Sequence, residues 1–149
     1  MTIYALSTGS GVSGIAVIRV SGPNTTEVIK ILTGSKLPLP RVATLKKFNK
    51  NGGKNLIDHG VILWFPAPNS YTGEDLAEFH VHGSLAVIKA MHSTISKIKN
   101  CRLAEPGEFT KRAFQNGRIN LLKAESIGDL ISAETEIKRK QALKIMSGK

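Results

Sequence analysis

The residues whose types and spacing suit chemistry lie between Pro68 and Ser84, in PNSYTGEDLAEFHVHGS. Two turn signals, Pro68-Asn69-Ser70 and Thr72-Gly73, precede and frame the carboxylates Glu74 and Asp75. The run after them alternates. Successive side chains of a strand point to opposite faces, so Leu76, Glu78, His80 and His82 share one face and Ala77, Phe79 and Val81 the other. The Ala-Phe-Val face suits a core. The Glu-His-His face does not, because an unpaired buried charge is too costly. It reads as a site; the alternative is a solvated sheet face with incidental histidines. One chemistry open to it is metal ligation by Glu78, His80 and His82, although the sequence nominates no firm third ligand. The other is recognition of a mixed ligand, a carboxylate accepting NH groups while cations hold anions. The cations on offer are Lys111, Arg112 and Arg118, in EPGEFTKRAFQNGR, and Arg19. Arg19 shares a strand face with Ile15 and Val17, where a guanidinium must meet a carboxylate from the protein or from a ligand. No Ser/His/Asp spacing and no nucleophile elbow is present.

The elements that would position these residues follow from periodicity. Thr2–Ser7 and Ile15–Val20 are expected strands, the second apolar on both faces apart from Arg19 and so central. Between them TGSGVSG is a glycine-rich turn; a phosphate loop would need Gly-Lys-Ser/Thr opening a helix. A short helix is expected with Val28, Ile31 and Leu32 on its apolar face, Asn24 or Thr25 as its cap, and Gly34 at its end. Ala43–Phe48 and Asp58–Phe65 form an expected edge hairpin around Asn51-Gly52-Gly53, the second strand buried. Leu85, Ile88, Met91, His92, Ile95 and Ile98 mark a helix, with His92 at the core edge. Arg102–Ala104 is a short strand and Glu108–Gln115 a short helix. From Ile119 the pattern is a long helix with a stripe of Leu121, Ala124, Ile127, Leu130 and Ile131, charged beyond Ala133, which cannot bury its stripe alone.

Composition bounds the rest. At 149 residues one domain is the default, with a partial second, and 41% hydrophobic residues suffice for a core. The formal charge of +10 favours polyanionic partners, RNA first, against the plainer reading of a generally lysine-rich composition. Aromatics at 5% give little support for base stacking. Cys101 is the single cysteine, which excludes an internal disulfide framework and fits a reducing compartment; it reads as a small apolar filler rather than a reactive thiol. No apolar run is long enough to span a membrane.

The motifs GIAVIRVSGP, PNSYTGEDLAEFHVHG and AEPGEFTKRAFQNGRINLLKAESIGDLI closely resemble the N-terminal part of the tRNA-modification GTPase family called MnmE or TrmE, over essentially the whole chain. The resemblance implies an α+β fold, with a mixed β-sheet like that of the tetrahydrofolate-binding domain of the glycine-cleavage T protein. It implies a folate-binding and dimerisation domain over 1–118 and the first helix of a helical domain over 119–149. It further implies a cytoplasmic homodimer that binds 5-formyl-tetrahydrofolate, the one-carbon source for modifying C5 of the wobble uridine of certain tRNAs. A MnmG-like flavoprotein would be the partner. The family's folate contacts fall on Arg19, Glu78 and Arg118; Arg118 stands where many members have lysine, and Ser84 where a glycine is usual. His80 and His82 either line the one-carbon end or structure the turn. GTP, potassium and magnesium belong to the family's GTPase domain. No GxxxxGK[ST] occurs here, so this chain is expected not to hydrolyse GTP. A basic RNA-binding domain without a cofactor and a metal hydrolase are the competing readings.

Overall fold

The structure, a computed structural model, describes residues 1–7, 14–50 and 54–120. Alternating runs rich in β-branched and aromatic residues form strands: β1 (Thr2–Leu6), β2 (Ile15–Ser21), β3 (Thr44–Asn49), β4 (Leu56–Phe65), β5 (Leu76–His82) and β6 (Cys101–Leu103). They make one six-stranded sheet in the order β3-β4-β5-β2-β1-β6. Every neighbouring pair is antiparallel except β1 and β6, which makes the sheet mixed. The helices are α1 (Thr25–Thr33), α2 (Leu85–Ser96) and α3 (Glu108–Gln115). The fold is therefore α+β with a mixed sheet, as expected, and β2 is central.

The core lies between one face of the sheet and the pair α1 and α2. Ile18 and Val20 of β2, Ala77 and Phe79 of β5, and Ile62 and Trp64 of β4 meet Val28, Ile29 and Leu32 of α1 and Met91 and Ile95 of α2. Each of the larger aliphatic and phenyl side chains among them stabilises the fold by about 1.5–3 kcal/mol when fully buried. Phe48 and Phe79 pack edge to face, centroids 5.4 Å apart. In register Ile18 faces Phe79 and Arg19 faces Glu78. A slip of one residue would drive the charged pair into the core, so burial of one face fixes the pairing on the other.

Several local expectations are modified. The strand expected from Asp58 begins at Leu56, and only Ile62 and Trp64 in it are buried, because its other face is open. Leu85 was expected on the apolar stripe of its helix but is 52% exposed; α2 buries Met91, Thr94 and Ile95 instead. Ile31 is only half-buried, while Ile29 is buried in α1. Asn24 takes the cap position of α1, yet its amide donates to the carbonyl of Lys99 at 2.7 Å. Gly34 ends that helix at φ 64°, in the left-handed region. Ser84 caps α2, its hydroxyl accepting from the Val87 amide at 3.2 Å. His92 sits edge-on to Tyr4 with burial holding its pKa down, as a core-edge residue would. Cys101 is half-buried beside the core and burial pushes its thiol up, which fits a filler.

At Gly60 in β4, an added Cβ would lie 2.2 Å from the His80 carbonyl oxygen and 2.7 Å from the Phe48 ring. The glycine lets β4 close on β5 there. Most of the expected glycine-rich turn, the turn expected at 51–53, the helix expected from 121 to 131 and the charged segment beyond Ala133 lie outside the described residues.

Candidate functional site

On the sheet face away from the core, Arg19 of β2 lies directly opposite Glu78 of β5. Its Nη2 stands 3.5 Å from Glu78 Oε2, and the other carboxylate oxygen is 3.3 Å from His80 Nε2. Arg19 and Glu78 keep 27% and 21% of their side-chain surface, so both ends remain approachable. The guanidinium carbon lies 5.3 Å from the Tyr71 ring centroid and 5.5 Å from that of Phe109. Two aromatic faces within about 6 Å of one cation each contribute roughly 0.5–2 kcal/mol and restrict its movement. Arg19 Nε is nonetheless buried with no hydrogen-bond partner. The pair is long and the guanidinium incompletely satisfied, so the site has unused capacity for an acceptor.

The rings are set by the segment before β5 and by α3. The Tyr71 and Thr110 hydroxyls are 3.0 Å apart, and the Asn116 amide donates to the Thr72 carbonyl at 2.7 Å. Beneath them Ser21 donates to Glu74 at 2.9 Å and lies 2.7 Å from the Thr72 hydroxyl. Arg112 donates to Glu74 at 3.0 Å and to the Met1 carbonyl at 2.7 Å. The sequence had offered Arg112 as a ligand cation; it is spent on latching α3 to the sheet. Lys111 is exposed on that helix.

Arg118 joins the site indirectly. Gly73, at φ 81°, passes so close that a Cβ there would lie 2.9 Å from Asn116 Cβ and 3.4 Å from Arg118 Cγ. Arg118 then lines a cavity of about 400 Å³ with Arg41, Phe65, Asn69 and Tyr71. That volume lies within the range of small-ligand pockets, roughly 300–1,000 Å³. Arg19 and Glu78 are thus brought together, and Tyr71 links them to Arg118. Arg41, which donates to the Asn69 carbonyl at 2.7 Å, also escaped the sequence reading. The aromatic in TGEDLAEF-preceding Ser-Tyr and the Phe of GEFTKR were the available signals for Tyr71 and Phe109.

The two histidines separate. His82 Nδ1 is 2.9 Å from Asp58 Oδ1, and its amide donates to Oδ2 at 2.8 Å. Burial opposes ionisation of Asp58, but the hydrogen bonds from His82 and His59 outweigh it and hold the carboxyl below its ordinary value. His82 therefore ties β5 to β4, while His80 stays beside Glu78. Among the described residues no three His, Cys, Asp or Glu side chains converge as metal ligands. No helix among them is long and apolar enough to cross a membrane.

Glu108 opens α3 and receives Arg102 at both oxygens, with its pKa at about 2 against an ordinary 4.5, chiefly through the Arg102 hydrogen bond. A depressed folded-state pKa stabilises above the unfolded value and loses that contribution as pH falls through the folded one. Stability should therefore decline between about pH 4.5 and pH 2. Acid titration followed by circular dichroism should show a flatter profile in that window for Glu108→Gln, which should also be less stable at neutral pH. An unchanged acid profile would remove Glu108 from the account.

The family described as GTP-binding protein TrmE N-terminus matches residues 2–118. The tRNA modification GTPase MnmE of Pelagibacter ubique (strain HTCC1062) is 73% identical over 149 residues, 100% of this chain and 34% of that protein. The mitochondrial 5-taurinomethyluridine-[tRNA] synthase subunit GTPB3 of Danio rerio is 50% identical over 147 residues, 99% of this chain and 29% of that protein. The MnmE of Brucella anthropi is 50% identical over 147 residues, 99% of this chain and 33% of its own length. The chain thus spans about a third of the length of these curated relatives.

Proposed function

The chain belongs to the family of the GTP-binding protein TrmE N-terminus, and from that premise we propose that it is the reduced-folate-binding and dimerisation module of a tRNA-modifying GTPase system. Its domain would run over 1–118 with the fold of the tetrahydrofolate-binding domain of the glycine-cleavage T protein, and 119–149 would begin a helical domain. The observation that carries the folate reading is the Arg19–Glu78 pair, half-open between two aromatic rings and with Arg19 Nε buried and unpartnered. Bound 5-formyl-tetrahydrofolate would supply the one-carbon unit for the wobble uridine of a tRNA. Glu78 would accept the paired NH groups of a pterin edge, a bidentate geometry that gives specificity as well as energy. Tyr71 and Phe109 present flat apolar faces beside it. Arg118 and Arg41, lining the neighbouring cavity, are suited to a carboxylate tail. Calorimetric titration with 5-formyl-tetrahydrofolate tests the reading; no heat of binding to folded protein would defeat it. A MnmG-like flavoprotein as partner, and GTP hydrolysis elsewhere in the system, belong to the same proposal, as does a cytoplasmic setting.

Homodimerisation has its own support. The open sheet face carries a row in which Leu45, Val61, His80 and Val17 lie side by side across four strands. Leu45 is 81% exposed and the neighbouring Ile15 61%. A symmetric pair is the commonest way to cover such a face. Leu45→Glu should convert a dimer to a monomer in light scattering at roughly tens of micromolar, where mass action still holds a moderate dimer together. A variant that stays dimeric would put the interface elsewhere, the apolar stripe of residues 121–131 being the other candidate.

A further inference from the structure

On the opposite side of the sheet from Arg19 and Glu78, α1 and α2 are separated by a groove of about 1250 Å³. Its shape follows from the sequence of α2. Ala86, Ala90 and Ser93 stand at helical spacing on one wall, and side chains this small leave the space between the helices unfilled. Its charge follows as well. Lys50, Lys89, Lys97 and Lys99 line it, all exposed, and none forms an ion pair with a described carboxylate. Between Glu78 and Glu105 the sequence contains no acidic residue, and among the described residues Glu27 is the only carboxylate in the groove's lining. Among the described residues Glu74, Glu78, Glu108 and Asp58 are engaged in ion pairs elsewhere, and Asp75 with the Ala67 amide. Among the described residues the four lysines of the groove therefore face a single lining carboxylate, Glu27.

We propose that the groove between α1 and α2 is a docking surface for the phosphate backbone of a structured RNA. Lysine ammonium groups are suited to phosphates, and Asn24, Thr26, Ser93 and Asn100 supply neutral hydrogen-bonding groups of the kind that fix register on a sugar-phosphate backbone. A membrane surface fits less well, since none of the large exposed apolar side chains lines the groove. The contact is to backbone rather than base, because no aromatic side chain lines it to stack on. With the sheet between them, the RNA held here and the ligand at Arg19 and Glu78 occupy separate faces of the chain. The identity of the RNA as a tRNA rests on the reading above; its place on the molecule does not depend on the folate pocket.

The test is fluorescence anisotropy of an unmodified tRNA transcript with the parent chain, across 50–200 mM salt (on the order of the range where counterion release is read). The variant Lys89→Gln/Lys97→Gln/Lys99→Gln should bind roughly tenfold or more weakly at the low-salt end. Its slope of log affinity against log salt should be shallower by about 0.7–0.9 per lysine removed. Single Lys89→Gln should show about a third of that change and guards against a folding defect in the triple variant. Lys46→Gln/Lys47→Gln/Lys54→Gln removes the same charge from the β3–β4 hairpin and should lose much less. Equal losses in the two triple variants would overturn the placement. So would binding by the parent to phosphatidylserine vesicles but not to the transcript. Glu78→Gln should leave the RNA curve unchanged while lowering folate affinity, so failure of one reading is visible apart from failure of the other. A parent chain that binds no transcript overturns this inference and leaves the folate reading standing.

Discussion

A folded Glu78→Gln protein is expected to bind a reduced folate about ten- to a hundredfold more weakly than its parent, equivalent to roughly 1.5–3 kcal/mol for losing a charged hydrogen-bond partner. The substitution keeps the size of the side chain but turns one acceptor into a donor, which then meets an NH of the pterin edge. The same change removes the partner of Arg19 and of His80. That structural cost is small, because a 3.5 Å pair with about a quarter of its surface open is weakened by solvent. Thermal unfolding of the unliganded protein should therefore move little while the calorimetric affinity falls. Unchanged folate affinity in a folded variant would show that the pterin sits elsewhere; a large drop in stability would show that the pair is principally structural.

Gly60→Ala is expected to be the most damaging single methyl group in the sheet. The new Cβ would meet the backbone oxygen of His80 at 2.2 Å, and a backbone atom of a paired strand cannot rotate away. Either β4 parts from β5 or Phe48, whose ring lies 2.7 Å from the same point, leaves its packing against Phe79. Overpacking of this kind costs about 1–3 kcal/mol and occasionally more. Calorimetry should register a fall in Tm of roughly 5–15 °C at a few degrees per kcal/mol. A Tm within the error of the parent would mean that the two strands do not close at this residue. Because His80 is also the neighbour of Glu78 in the site, the variant should lose folate affinity through displacement of β5 rather than through any contact of its own.

What could be read in the sequence was the part governed by local period. The two faces of β5 follow from alternation, and Arg19 was conspicuous because a single guanidinium interrupts an apolar strand. The match of Arg19 to Glu78 required the register between two strands about as far apart as half the domain, which the pattern of one strand does not contain. Tyr71 and Phe109 are legible only as aromatics beside turns; that both face Arg19 is not, since each lies in a different segment and their common feature is a third residue between them. Arg112 was overvalued because spacing says where a cation falls but not which carboxylate of the same chain claims it first; Glu74 does. Leu85 fits the core on periodicity, yet α2 packs on the core from Val87 and Ile88, half-buried, and its fully buried residues begin only at Met91. Gly60 carries a signal of its own, since glycine inside a strand marks a close approach of backbones.

The position of β1 has a consequence for how the chain is made. β1 leaves a ribosome long before one of its two neighbours, β6, which starts only at Cys101, and the Met1 carbonyl takes its hydrogen bond from Arg112. At about 5–20 residues per second, the nascent chain holds one side of β1 uncovered for roughly 5–20 seconds before its last partner emerges. During that interval β2 can cover the other side of β1 by local antiparallel pairing. Among the described strands β6 is therefore the last to join the sheet, and the order of synthesis makes residues 101–112 the segment whose arrival covers the free side of β1.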